Sequence, residues 1–323
     1  MTIPYRIPDI FDGWRWKTSR NPHYEEAKAE SLAWFRSFED FYKENEDSIE
    51  GCDGSKSALR CCGDVNTLLF VVDDILDYES DDVVKDRMRI ILSALKNPHT
   101  PRPPGEWVVG EMTRQFWERT IEVASPLCQR RFVSGVKDCM VAMALESDAR
   151  KTSSAHSSIS SFLKTRRDSA GCALVFALME LEIALPDEAF YHPYVRDLIV
   201  TIQDISVMAN DVFSYRREQA RGRTEDNIIT VVMDIYDLDV NGAIDWVEKR
   251  HKELEKEFIE KYDKVPKFGE PVDSQVAKYI EGLANWVWAN ARWSFECGRY
   301  FGGEGLEIME KTKWVGPVPK LRA

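Results

Sequence analysis

Asn210, Ser214 and Glu218 stand four residues apart in the stretch NDVFSYRRE. An amide, a hydroxyl and a carboxylate all offer oxygen to a hard cation. Residues four apart on a helix share one face, so the three oxygens would form a row. Magnesium rarely takes a full protein cage, and three ligands leave room for water and for phosphate oxygens. The row interrupts VRDLIVTIQDISVMAN, an apolar run that reads as a buried helix. A solvated helix end explains charge in general, but not oxygen donors in register on such a helix.

The segment VVDDILD repeats the spacing with Asp73 and Asp77, and Asp74 sits beside them. Val65, Leu68, Leu69 and Phe70 lead in as an apolar approach. Carboxylates this close repel one another unless a cation neutralises them. No glycine stands where a calcium-binding EF-hand loop requires one, which favours Mg²⁺, with Mn²⁺ as the alternative. Arginines form the third element. Arg166 and Arg167 fall in FLKTRRDSAG, Arg216 and Arg217 in the opening stretch, and Arg299 beside Tyr300 in WSFECGRYFG. A planar guanidinium binds phosphate oxygens through two parallel hydrogen bonds. Two oxygen clusters with these arginines suggest a diphosphate held between metal and guanidinium.

Other chemistries find no support. There is no G-x-x-x-x-G-K-[ST], H-E-x-x-H or G-x-S-x-G, and the five His are scattered. The net charge of −12 disfavours nucleic acid and anionic membrane surfaces as partners. Seven Cys without a C-x-x-C pair read as free thiols of a reduced, cytoplasmic protein. No run is long enough for stable membrane insertion.

The elements that must position these residues read as helices. Pro4, Pro8 and Pro22 mark an extended N-terminal arm, residues 1–22. Apolar spacing then predicts helices from Tyr24 to about Asn45, Ser57 to Tyr78, and through DDVVKDRMRIILSALK. After a proline-rich loop come predicted helices from Trp107 to Val123, Leu127 to Lys151, Ser158 to Leu185 and Pro193 to Gln219. Asn227 to Tyr236, Val240 to Tyr262 and Ser274 to Phe301 complete the series. No period-2 strand stands out. The expectation is one all-α domain of about ten helices over residues 1–323.

At these residues the chain resembles a class I terpene synthase. DDILD is similar to the family's aspartate-rich motif, and NDVFSYRRE to its second metal motif, Asn-Asp-x-x-Ser-x-x-(Lys/Arg)-Glu. IPDIFDGWRW, NPHYEEAKAES and RYFGGEGLEIMEK resemble basidiomycete sesquiterpene synthases, in particular the protoilludene synthase clade. The resemblance implies a class I terpenoid synthase-type helical bundle around a central apolar pocket, with three Mg²⁺ ions. It implies Asp73, with Asp77, on two of the ions, and Asn210, Ser214 and Glu218 on the third. Arg166, Arg217, Arg299 and Tyr300 would bind diphosphate, although RRDSAG leaves Arg167 open as the sensing residue. Phe70 and Trp293 match aromatic pocket positions, and Ser169 and Ala170 the segment that triggers ionisation.

The implied reaction ionises farnesyl diphosphate and cyclises the allylic cation to a sesquiterpene, releasing diphosphate. Two departures bear on it. Asp73-Asp74 stands where relatives usually carry Asp-Glu, and the segment between Phe41 and Cys61 looks shortened. The alternatives are an acyclic or monoterpene product of the linalool or nerolidol type, a chain-elongating prenyl synthase, and a catalytically impaired homologue. The expected partner is a prenyl diphosphate, and the expected state a monomer or homodimer.

Overall fold

A computed structural model describes residues 2–9, 11–16, 20–38, 55–76, 79–151 and 158–319, with side chains at all of these except 74, 76, 81 and 147–151. Phe41, the shortened segment up to residue 54, and Asp77 lie outside the described residues.

The described chain is helical throughout its core. In order come α1 (Tyr24–Arg36), α2 (Lys56–Leu76), α3 (Asp81–Lys96), α4 (Val109–Val123) and α5 (Pro126–Lys151). Then follow α6 (Ile159–Ser169), α7 (Cys172–Leu178), α8 (Asp187–Phe190) and α9 (Pro193–Arg221). The series ends with α10 (Ile228–Tyr236), α11 (Val240–Tyr262), α12 (Val272–Glu296) and the short α13 (Gly305–Glu307). Two two-residue strands, β1 (Tyr5–Arg6) and β2 (Trp314–Val315), pair antiparallel and bring the chain's ends together. The N-terminal arm is therefore not wholly extended; it also turns at residues 11–13.

α9 is the central element because its sequence is apolar on nearly every face. Val195, Leu198, Ile202, Ile205, Met208, Val212 and Phe213 are all buried. Pro193 fits the first helical position, where no N–H is needed, and Gly222 ends the helix in a left-handed turn at φ +69°. α11, α12 and α10 pack along it. α11 starts at the Asp239 side chain, which accepts the Gly242 N–H at 2.7 Å, and α6 starts at Ser158, which accepts that of Ser161 at 3.1 Å.

α2 shows its buried stripe in Leu59, Cys62, Val65, Leu68 and Val71, spaced three apart. Asp64 lies within that stripe, fully buried. It is satisfied by Ser31 Oγ at 2.6 Å, Arg60 Nε at 2.7 Å and Arg119 Nη2 at 2.7 Å, which ties α1, α2 and α4 together.

Three sequence boundaries need correction. The helix expected from Tyr24 to about Asn45 ends at Arg36, with Ser37 as its C-cap. The single helix expected from Ser158 to Leu185 is two helices, because Gly171 takes φ +70° between α6 and α7. That backbone excludes continued helix and is open to glycine at little cost. The last long helix stops at Glu296 rather than Phe301, and Gly298 at φ +72° turns the chain behind it. Arg299 and Tyr300 therefore stand in a turn, not on the helix.

Candidate active site

The row on α9 forms as the spacing requires. Ser214 Oγ donates to Glu218 Oε1 at 2.6 Å, and Asn227 Nδ2 donates to the other carboxylate oxygen at 2.9 Å. Enclosure by the helices, and next the negative charge of Asp211, push the Glu218 carboxyl above its ordinary value. Its hydrogen-bond donors are a hydroxyl and an amide, both neutral, so a bound cation would relieve the charge. Among the described residues no three His, Cys, Asp or Glu side chains converge as a metal cluster. The donor set here is an amide, a hydroxyl and one carboxylate, which suits a hard divalent ion that also binds phosphate oxygens.

Arg166, at the end of α6, reaches the head of this row. It donates from Nε and Nη2 to Asp211 Oδ1 at 3.0 and 2.8 Å, and from Nη2 to Asn210 Oδ1 at 3.4 Å. Burial alone would discharge it, but Asp211 and Glu146 more than reverse this and hold it as a cation. Arg167 points elsewhere along α9 and binds Asp204 Oδ1 at 2.6 Å. Of the two arginines, Arg166 is the one that contacts the oxygen-donor row. Asp211 is the hub behind it: its second oxygen accepts the Ile228 N–H at 2.9 Å at the start of α10.

The turn after α12 joins the two acidic motifs. Tyr300 accepts a hydrogen bond from Asn210 Nδ2 at 3.1 Å, and its neighbour Arg299 lies 3.7 Å from Asp73 on α2. Two adjacent residues thus touch both motifs, which places the motifs at one end of the bundle. Asp73 is half exposed, at 54%. Behind it Phe70 and Trp293 stack at 5.2 Å, and the Arg299 guanidinium lies 4.4 Å from the Phe70 ring centre. Trp293 also meets Tyr300 edge-on at 6.1 Å.

The remaining expected residues are less central. Ser169 Oγ donates to Glu146, and Ala170 sits at the bend before Gly171. Arg217 is half-buried beside Glu218 on α9. Arg216 is buried on the far side, 3.4 Å from Glu304.

Residues 64–257 match the protein-family model described as "Terpene synthase family 2, C-terminal metal binding". The chain is a terpene synthase. The synthase is 39% identical over 327 residues to Sesquiterpene synthase 14 of Postia placenta, covering 98% of this chain and 93% of the relative. It is 41% identical over 330 residues to a Delta(6)-protoilludene synthase of Stereum hirsutum, covering 98% and 89%. The germacradien-4-ol synthase structure from Streptomyces citricolor superposes with a TM-score of 0.73 at 18% identity, over 86% of this chain and 98% of that one, and thus shares the fold. The helical bundle expected from the sequence is the family's fold.

Sequence reasoning missed Asn227 and Glu146. Asn227 is readable as a helix cap before IITVV, and it does accept the Ile229 N–H at 2.9 Å. Its amide also binds Glu218 and the Asp211 carbonyl, which only the turn between α9 and α10 brings within reach.

Proposed function

We propose that the synthase ionises farnesyl diphosphate with Mg²⁺ and cyclises the allylic cation to a sesquiterpene of the protoilludene type, as one unit over the whole chain. The observation that supports it most is the Arg299–Tyr300 turn. It touches Asp73 on one side and Asn210 on the other, and Arg166 meets Asn210 from a third element. A diphosphate placed there has oxygen ligands for metal on two helices and guanidinium donors on two more segments. The relatives' names supply the substrate size and product class.

Asp73 and Asp77 would hold metal on one side, and Asn210, Ser214 and Glu218 on the other. Bound Mg²⁺, three ions in this reading, supplies Lewis-acid charge that offsets the departing diphosphate. The protein's own residues do the rest. Arg166, Arg217 and Arg299 donate to diphosphate oxygens, and the Tyr300 hydroxyl adds a neutral donor. Arg166 starts from a bond to Asp211, so its position is set before substrate arrives. Phe70 and Trp293, stacked on each other near Asp73, would favour cationic carbon by ~1–2 kcal/mol each at a desolvated π-face. Ser169 and Ala170 sit at the α6–α7 break, three and four residues after Arg166.

Six described cysteines are buried, and no described helix is long and apolar enough to cross a membrane. In this reading the enzyme is cytoplasmic, monomeric or homodimeric, and acts on a diffusing prenyl diphosphate.

The test is gas chromatography of products after incubation with farnesyl diphosphate and Mg²⁺, with and without chelator. A cyclic sesquiterpene that disappears with chelator is the expected result. Chain growth on added isopentenyl diphosphate would instead mark an elongating prenyl synthase.

A further inference from the structure

The N-terminal arm touches the metal helix at one unusual point. Tyr5 is fully buried, its backbone fixed by pairing with Val315 and its ring edge-on to Tyr215 at 5.7 Å. Its hydroxyl donates to the Val212 carbonyl at 3.0 Å and accepts the Arg216 N–H at 3.3 Å. That carbonyl and that N–H are the two partners of a single α-helical step. A side-chain hydroxyl between them stands within the helix's own ladder, and such an insertion turns one part of a helix relative to the next.

The step lies between Asn210 and Glu218, inside the row of oxygen donors. The adjoining carbonyl, that of Asp211, also takes an outside donor, Asn227 Nδ2 at 2.8 Å. The arm is pinned on both sides of Tyr5. The Ile3 N–H donates to Gln219 Oε1 at 2.6 Å, and Arg6 Nη2 donates to Glu248 at 2.5 Å and Asp245 at 3.4 Å. The hydroxyl is therefore held in place by the strand pair with β2 and the arm's bonds to α11, as well as by Tyr215 and Gln219 of α9 itself.

We propose that Tyr5 is a positioning residue for the metal row: its hydroxyl, held in the α9 ladder by the N-terminal arm, sets the rotation of Glu218 relative to Asn210 and so the row's affinity for Mg²⁺ with diphosphate. This rests on Asn210, Ser214 and Glu218 being the cation ligands.

Tyr5→Phe removes the hydroxyl and keeps the ring, the strand pair and the edge contact. The full chain is titrated calorimetrically with Mg²⁺ in the presence of inorganic diphosphate. The half-saturating Mg²⁺ concentration should rise about five-fold, the scale of one lost hydrogen bond. Arg6→Ala, which loosens the arm at its surface without touching the ladder, should titrate like the unaltered chain. Tyr5→Phe titrating like the unaltered chain overturns the inference, and so does an equal shift in Arg6→Ala, which would make arm packing the cause. Both outcomes are independent of farnesyl diphosphate turnover by the unaltered chain, which tests the preceding reading instead.

Discussion

Arg166 and Arg167 show how one residue step separates two roles. Both guanidiniums end α6 and both reach α9, but Arg166 meets Asn210 and Asp211 while Arg167 meets Asp204, six residues before Asn210. Lysine keeps the charge and loses the planar fork, so the two substitutions separate position from charge. Arg166→Lys should lower the rate of diphosphate release by about 10²-fold, the scale of one donor to a developing anion. Arg167→Lys should leave it close to the original rate. Steady-state diphosphate release by the two variants checks this. The oxygen donors and guanidiniums that the fold brings together were legible in sequence by their type and helical spacing. The choice between Arg166 and Arg167 was not, since it depends on the rotation of α6 against α9. Asn227 and Tyr5 were illegible for the same reason, their partners lying 9 and more than 200 residues away.

At the scale of elements, close approach and buried charge fix how α4, α5 and α7 hold the site. A methyl group at Gly135 on α5 would lie 2.7 Å from the Leu174 backbone nitrogen on α7. Alanine should favour the helix itself, yet this clash is with backbone that cannot swing aside. Gly135→Ala should therefore destabilise the protein by about 1–3 kcal/mol, read as a lower urea midpoint. Arg131 on α5 contacts Glu180 behind α7, both fully buried, and also binds Asp187 Oδ1 at 2.7 Å on α8. Glu180→Ala leaves Arg131 with Asp187 as its remaining partner, so it should cost about 1–3 kcal/mol in the same assay, the scale of one lost charged hydrogen-bond partner.

On α4, hydrogen bonds from Arg114 hold the Glu111 carboxyl down at about 2, below its ordinary 4.5. A depressed acid contributes stability above its unfolded value and loses it as the pH falls through the folded one. The difference in urea midpoint between the unaltered chain and Glu111→Gln should therefore shrink from about pH 6 to about pH 3. Helix existence was legible from apolar spacing over nearly every element. The break at Gly171 and the early end of α12 were not, because a glycine inside an apolar pattern does not announce that it takes a positive φ.

Across the whole molecule, the fold brings together four segments that are far apart in sequence: the end of α2, the end of α6, the middle of α9 and the turn after α12. No single motif contains that convergence. The most direct measurement is Mg²⁺-dependent release of diphosphate from farnesyl diphosphate by the unaltered chain, by Asn210→Ala and by Glu218→Ala, with circular dichroism on each. Release by the unaltered chain, loss of release in both variants, and unchanged helical spectra are the expected result. A folded chain that releases no diphosphate, or an Asn210→Ala or Glu218→Ala variant that keeps the original rate, would contradict it.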